Sequence, residues 1–223
     1  MYIAIIGDIV DSRKIKNRDD IQKKLSSILK EININFKNNI AAKFLITLGD
    51  EFQGLLNDAN NLLKIIDTIK FKMYPIKIRF GVGIGSIDTN INSEMALGAD
   101  GPAFHYARAM VEKIRKINKT NSKSLRNTDI ILDANNNDNV INLINDNLSL
   151  CYELEEKWTD KQRLLIEEML FTNKTQRELA EEFKIAQSSV QRRLKTSGYY
   201  NYINAKRNIS NILEEQWENK YAD

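Results

Sequence analysis

The chain contains one cysteine, one histidine and two prolines in 223 residues. The lone Cys151 excludes an internal disulfide framework and a cysteine-rich zinc site. The lone His105 excludes metal motifs that need two histidines, and a Ser-His-Asp hydrolase would have to be built on it. No apolar run approaches the ~18–20 residues of a membrane span. The opening stretch Met1–Asp8 is too short for a secretory signal and lacks its basic lead. The expected compartment is therefore the cytoplasm, with no membrane partner. Charges nearly cancel: Lys and Arg total 33, Asp and Glu 30, for a net +3. The chain is 42% hydrophobic and 28% charged. That composition can bury a core, and the length allows one large or two small domains.

The first two-thirds alternate strand and helix patterns. Tyr2 to Val10 is a nearly continuous apolar run and reads as a buried strand. Ile21, Leu25, Ile28, Leu29, Ile32 and Phe36 fall at helical spacing. Gly49-Asp50, between apolar stretches ending at Leu48 and starting at Glu51, is a two-residue hairpin signal and puts Asp50 at the tip. Leu62 to Phe71 reads as a helix. In the strand Ile76 to Ile87, Ile78, Phe80, Val82 and Ile84 face one way. Arg79, Gly81, Gly83 and Gly85 face the other, leaving a bare groove that a backbone or a ligand can approach. Gly101-Pro102 opens a helix with Phe104, Ala107, Val111, Ile114 and Ile117 as its stripe. A polar loop is expected over residues 119–128, a strand at Asp129–Asp133, an asparagine-rich turn at 135–139 and a short helix at Val140–Leu148. These elements predict an α+β domain over residues 1–150.

Beyond Trp158 the strand patterns stop. Thr159–Gln162 and Thr175–Glu178 are capping-box signatures that start two helices. A third runs from Gln187 to Lys195, after a turn at Lys184-Ile185-Ala186. Leu179, Ala180, Phe183, Ile185, Val190 and Leu194 have the spacing that packs two helices across a tight turn. Gln187, Ser188, Ser189, Gln191, Arg192, Arg193 and Lys195 are then left as candidate DNA contacts, being of the types that read base edges and hold phosphates. No acidic residue occurs from Lys184 through Leu213. The second region, residues 151–223, is expected to be all-helical. A three-helix bundle with a solvated basic face, or one used for protein contacts, fits the same pattern. Tyr199, Tyr200 and Tyr202 could stack on bases or pack internally. Ile209, Ile212, Leu213 and Trp217 form a last apolar stripe, for a core or a dimer contact.

Asp8 ends the first strand and Asp50 tips the hairpin. If the strands are adjacent, the two carboxylates meet at one edge, with Asp11 and Glu51 close by. Hard cations such as Mg²⁺ take one or two carboxylates plus phosphate oxygens, and the backbone at Ile9, Asp11 and Ser12 could supply amides to phosphates. The alternative is that Asp8 and Asp11 cap a turn and Asp50 is a turn residue.

The order of Ile5-Ile6-Gly7-Asp8-Ile9-Val10, Thr47-Leu48-Gly49-Asp50-Glu51-Phe52, Arg79–Gly85 and Gly101–Arg108 is similar to that of class III nucleotide cyclases. The Gly-Asp-Glu-Phe tetrad also resembles that of diguanylate cyclases. Residues 46–55 and 97–108, taken with the C-terminal stretch, resemble the SatD family, which joins such a core to a helix-turn-helix. The resemblance implies a ferredoxin-like, cyclase-like sheet with a C-terminal helix-turn-helix. It also implies Asp8 and Asp50 as metal ligands for Mg²⁺ or Mn²⁺ with a nucleotide, and a homodimer. The segment 185–194 looks like the recognition helix of bacterial helix-turn-helix domains, with Lys184 where many of those domains have Gly.

Other positions depart from the cyclase pattern. Ile46 stands where a base-selecting Lys or Glu is expected. His105 and Ala109 stand at the Asn and Arg positions of the helix, and Arg108 is one residue off, about 100° around it. Leu48 stands where diguanylate cyclases have a further Gly. Loss of such a charge-stabilising donor costs on the order of 10²–10³ in rate, so no catalytic residue is assigned. His105 and Arg108, on one helix face, are candidate ligand contacts with Arg79, Asp100, Ile9, Asp11, Ser12 and Glu51. Arg108 could equally pair with Glu112, and Asp100 could be a helix cap. The expectation is a DNA-binding regulator with a nucleotide-sensing first domain. The alternatives are a divergent metal-dependent cyclase or nucleotidyltransferase, and a non-catalytic interaction module.

Overall fold

The computed structural model describes residues 1–120, 127–135 and 138–217. The elements run β1 (Tyr2–Ile9), α1 (Arg18–Asn35), β2 (Ile40–Leu48), β3 (Glu51–Leu56), α2 (Leu62–Met73), β4 (Ile78–Gly85), α3 (Pro102–Thr120), β5 (Ile130–Ala134) and α4 (Asp138–Glu155). Four helices follow: α5 (Asp160–Phe171), α6 (Gln176–Glu182), α7 (Gln187–Thr196) and α8 (Tyr199–Trp217). The chain is thus mixed α+β. It divides into two compact units, one of residues 1–149 with the chain from Ile209, the other of residues 150–208.

In the first unit the five strands lie in the order β2-β3-β1-β4-β5. β1 is antiparallel to both β3 and β4, and β5 joins β4 in parallel. The continuous apolar run of β1 is explained by this central position, with both of its faces covered. Ile3, Ile5 and Ile9 face the larger core, with Leu25, Leu29 and Ile32 of α1 and Ile65, Ile66 and Ile69 of α2. Ile141, Ile144 and Leu148 of α4 join that core, and so do Ile209, Leu213 and Trp217 at the end of α8. The last apolar stripe is therefore core. Ala4 and Ile6 face the other way, toward Ala103, Ala107 and Val111 of α3.

The glycine face of β4 is occupied by protein. A Cβ on Gly81 would fall 2.0 Å from the Ala107 carbonyl oxygen, and one on Gly83 2.0 Å from that of Ala103. Glycine on the strand and alanine on the helix let the two backbones approach until no space for a ligand remains. Of the two occupants the sequence allows, the helix backbone is the one present.

Several boundaries differ from expectation: β4 is shorter than Ile76–Ile87, and α2 runs past Phe71 to Met73. α3 extends through Thr120, where a loop is expected from residue 119. Residues 121–126 of that loop and 136–137 of the asparagine-rich turn lie outside the described residues. α4 starts at Asp138 and continues past Leu148 to Glu155, because Cys151 extends its buried stripe.

Candidate functional site

The register of the sheet brings Asp8 opposite Glu51 on β3 and opposite Arg79 on β4. Directly opposed residues share a face, so one acid stands between another acid and a base, on the side that α3 covers. Arg79 Nη1 donates to Asp8 Oδ2 at 2.6 Å. From α3, Arg115 donates through Nη2 to Asp8 Oδ1 at 2.7 Å and through Nε to Oδ2 at 3.2 Å. The Asp8 side chain is only 3% exposed. An ionised carboxylate at such a site costs several kcal/mol in lost hydration, on the order given by ion-transfer arguments, unless it is paired and hydrogen-bonded. Two guanidiniums supply that pairing. The hydrogen bond to Asp8 holds the Arg115 guanidinium above its ordinary pKa, against the opposing effect of burial.

Arg108, seven residues before Arg115 on α3, donates to Glu51 Oε1 at 3.2 Å. Arg115 Nη2 also lies 3.9 Å from Glu51 Oε2. Its Nη1 bonds Glu112. Arg108 is thus paired with the strand rather than with Glu112. Arg115 is the member of the cluster that the sequence pattern did not single out. The available signal was spacing, because residues seven apart on a helix lie close to one face.

Asp50 sits at the adjacent turn. Its Oδ2 accepts the Ser12 hydroxyl, and its carbonyl accepts the Ile9 N–H at 3.0 Å. Gln22 donates to the Gly49 carbonyl, and Gly49 takes φ +59°, as the hairpin signal requires. Ile9 therefore has its amide engaged and its side chain in the core. Asp11 adopts φ 54° and makes no side-chain cap. Its carboxylate pairs with Lys14 at 3.0 Å. Asp100 Oδ1 lies 3.0 Å from His105 Nε2, both side chains being exposed.

The sequence-predicted residues thus form three groups. Asp8, Glu51, Arg79 and Arg108 come together, Ser12 joins Asp50, and Asp100 joins His105. As a cation site the Asp8–Asp50 pair does not fit as it stands. Asp8 has both oxygens occupied by guanidiniums, and Asp50 is engaged by Ser12. Among the described residues no group of three or more His, Cys, Asp or Glu side chains could hold a metal ion.

In the second unit both capping boxes form: Thr159 with Gln162, and Thr175 with Glu178. Leu165, Ile166, Leu179, Ala180, Val190 and Leu194 are buried. Trp158 donates through Nε1 to the Ser197 carbonyl at 2.8 Å and meets Tyr202 edge-on. Tyr199 and Tyr202 are buried and Tyr200 is 43% exposed. The turn between α6 and α7 is closed by Lys184 at φ 53°, a left-handed conformation that glycine adopts at less cost.

The outward polar side chains of this unit differ in their partners. Several on α5, α6 and the turn between them are engaged within the protein. Gln162 donates to Thr196 Oγ1 at 3.2 Å, Lys174 to Glu168 Oε2 at 2.8 Å, Gln176 to Tyr200 at 3.2 Å and Arg177 to Glu181 at 3.4 Å. On α7, Gln187, Ser188, Gln191, Arg192 and Lys195 are exposed, and Ser189 and Arg193 half-buried. None of their side chains makes a hydrogen bond or ion pair among the described residues.

These features define a mixed α+β protein with a buried arginine–carboxylate cluster, followed by short helices of which one carries unengaged polar groups. A family model described as SatD family matches residues 2–213, and the chain belongs to that family. A comparison with curated proteins found no match. Among solved structures, the chain is similar to one titled "Structure of a bacterial light-regulated adenylyl cyclase". The TM-score is 0.42 and the identity 15%, over 59% of this chain and 74% of that one. Among the described residues no helix is long and apolar enough to cross a membrane.

Proposed function

We propose that this SatD-family protein binds DNA through α7, in a helix-turn-helix made with α6, and that its first unit regulates the binding. The observation that carries the reading is the set of unengaged groups on α7. The arginines and glutamines of α5 and α6 are engaged by neighbouring groups of the protein. Here Gln187, Ser188, Gln191, Arg192 and Lys195 have none among the described residues, and no acidic residue from Lys184 to Leu213 offers one. A phosphate backbone supplies acceptors for the cations and releases counterions on contact. A homodimer would present two copies of α7 to half-sites one helical turn apart. The test is fluorescence anisotropy of the full chain against a mixed-sequence duplex. Binding that Arg192→Ala with Lys195→Ala weakens supports the reading. No binding at any salt concentration would leave the interaction-module reading in its place.

The convergence of Asp8, Glu51, Arg79 and Arg108 favours a second part of the proposal, in which the first unit senses a nucleotide or other phosphorylated ligand. Arg108 is 56% exposed and holds Glu51 by one contact, so a phosphate could recruit it. A catalytic reading, with Asp8 and Asp50 holding Mg²⁺ or Mn²⁺ in a cyclase or nucleotidyltransferase, requires more. Arg79 and Arg115 would have to leave Asp8, and Ser12 would have to leave Asp50. Product analysis after incubation with each nucleoside triphosphate and Mn²⁺ separates the two. Turnover that disappears in Asp50→Ala would establish the catalytic reading.

A further inference from the structure

The chemistry of α7 carries the proposal further, to the kind of base it reads. We infer that α7 selects its site through two glutamine-to-adenine contacts, with its cations holding phosphates. This rests on the reading of α7 as the DNA-reading helix.

A recognition helix presents its N-terminal residues to base edges. The first five positions of α7 are Gln187, Ser188, Ser189, Val190 and Gln191. Val190 is buried and Ser189 half-buried, so the exposed N-terminal groups are Gln187, Ser188 and Gln191. None of the three is a cation. The basic residues Arg192, Arg193 and Lys195 all come after them.

The distinction is chemical. A guanidinium has only donors and matches the two acceptors of guanine, O6 and N7. A glutamine amide has a carbonyl acceptor beside an NH₂ donor and matches the N6 donor and N7 acceptor of adenine. Ser188 can serve either base. Gln187 and Gln191 are one turn apart on one face, about 6 Å along the axis. Successive base pairs are about 3.4 Å apart. The two amides therefore reach adenines about two base pairs apart, in each half-site.

The test is selection of bound duplexes from a random pool by the full chain at fixed salt, repeated with four variants at three positions. The expected motif has two adenines about two steps apart. Gln187→Ala and Gln191→Ala should each erase the preference at one adenine, with a loss of about tenfold to a hundredfold for the selected duplex. Gln191→Arg should shift that position toward guanine. All three sites are exposed, so unchanged thermal melting checks that the fold is retained. A motif whose strongest positions are guanines, unmoved by either Gln→Ala variant but lost in Arg192→Ala, overturns the inference and leaves DNA binding standing. If no duplex is enriched over the starting pool, the reading of α7 as a DNA-reading helix fails, and this inference fails with it.

Discussion

Arg115 and Asp8, 107 residues apart in the chain, are joined by two hydrogen bonds of 2.7 and 3.2 Å. Arg115, in the C-terminal half of α3, donates both, and Asp8, near the end of the central strand, accepts them. The pair fastens the helix to the sheet at the end opposite the glycine–alanine contact. Removing one partner of a buried ion pair leaves the other charge uncompensated. Arg79 still covers Asp8, so Arg115→Ala should destabilise the first unit by about 2–3 kcal/mol, less than the ~3–5 kcal/mol of a loss that leaves a buried charge with no partner at all. Arg115→Lys should recover only part of it, since an ammonium lacks the planar fork. Urea denaturation measures both. An Arg115→Ala midpoint equal to that of the parent would contradict the account of the cluster.

Gly83→Ala tests the packing of α3 on β4. The added methyl would meet the Ala103 carbonyl at 2.0 Å and the Ala107 N–H nitrogen at 2.5 Å, and backbone cannot move aside as a side chain can. The expected cost is about 2–4 kcal/mol. If the glycine face were a ligand groove, the same change would leave stability intact and affect ligand binding alone.

Arg108→Ala tests the sensing proposal. Arg108 is half exposed, and its loss should change stability by no more than about 0.5 kcal/mol. It should reduce or abolish any rise in melting temperature produced by a nucleoside triphosphate. An undiminished shift would place the ligand elsewhere.

The capping box at the start of α6 predicts a pH effect. Hydrogen bonds from the Thr175 backbone and hydroxyl hold the Glu178 carboxyl below its ordinary pKa. A depressed carboxyl contributes stability that is present above the ordinary carboxylate range. It is lost as pH falls through the lowered folded value. Glu178→Gln keeps a side-chain acceptor but removes the titration. The second unit should then lose less stability between neutral and acidic pH than the parent does, as read by thermal melts across that range.

The parts of the fold legible in the sequence were those set by local chemistry. Gly49-Asp50 marked the β2–β3 hairpin because the turn needs a residue at positive φ. Thr159 and Thr175 marked helix starts because their hydroxyls and the following Gln162 and Glu178 close a box within four residues. Other features depend on register and helix seating between distant segments. Arg79 reads as a candidate ligand contact, yet its place opposite Asp8 follows from the pairing of β1 with β4. Arg115 was invisible as a partner of Asp8 until α3 was laid over the strands. The burial of Ile209, Leu213 and Trp217 in the first core likewise depends on a chain path that no local pattern encodes. Lys184 shows the limit of residue-type rules, since a lysine closes at φ 53° a turn that glycine would close more cheaply.

The central claim is that α7 meets a phosphate backbone with cations, Arg192 and Lys195, that have no partner among the described residues. The most direct measurement is the slope of log affinity against log salt concentration for one duplex, compared between the parent and Arg192→Ala/Lys195→Ala. Each phosphate contact contributes about −0.9 to that slope, so the double variant should be shallower by about 2 while retaining its fold. Equal slopes for the two proteins would contradict the account.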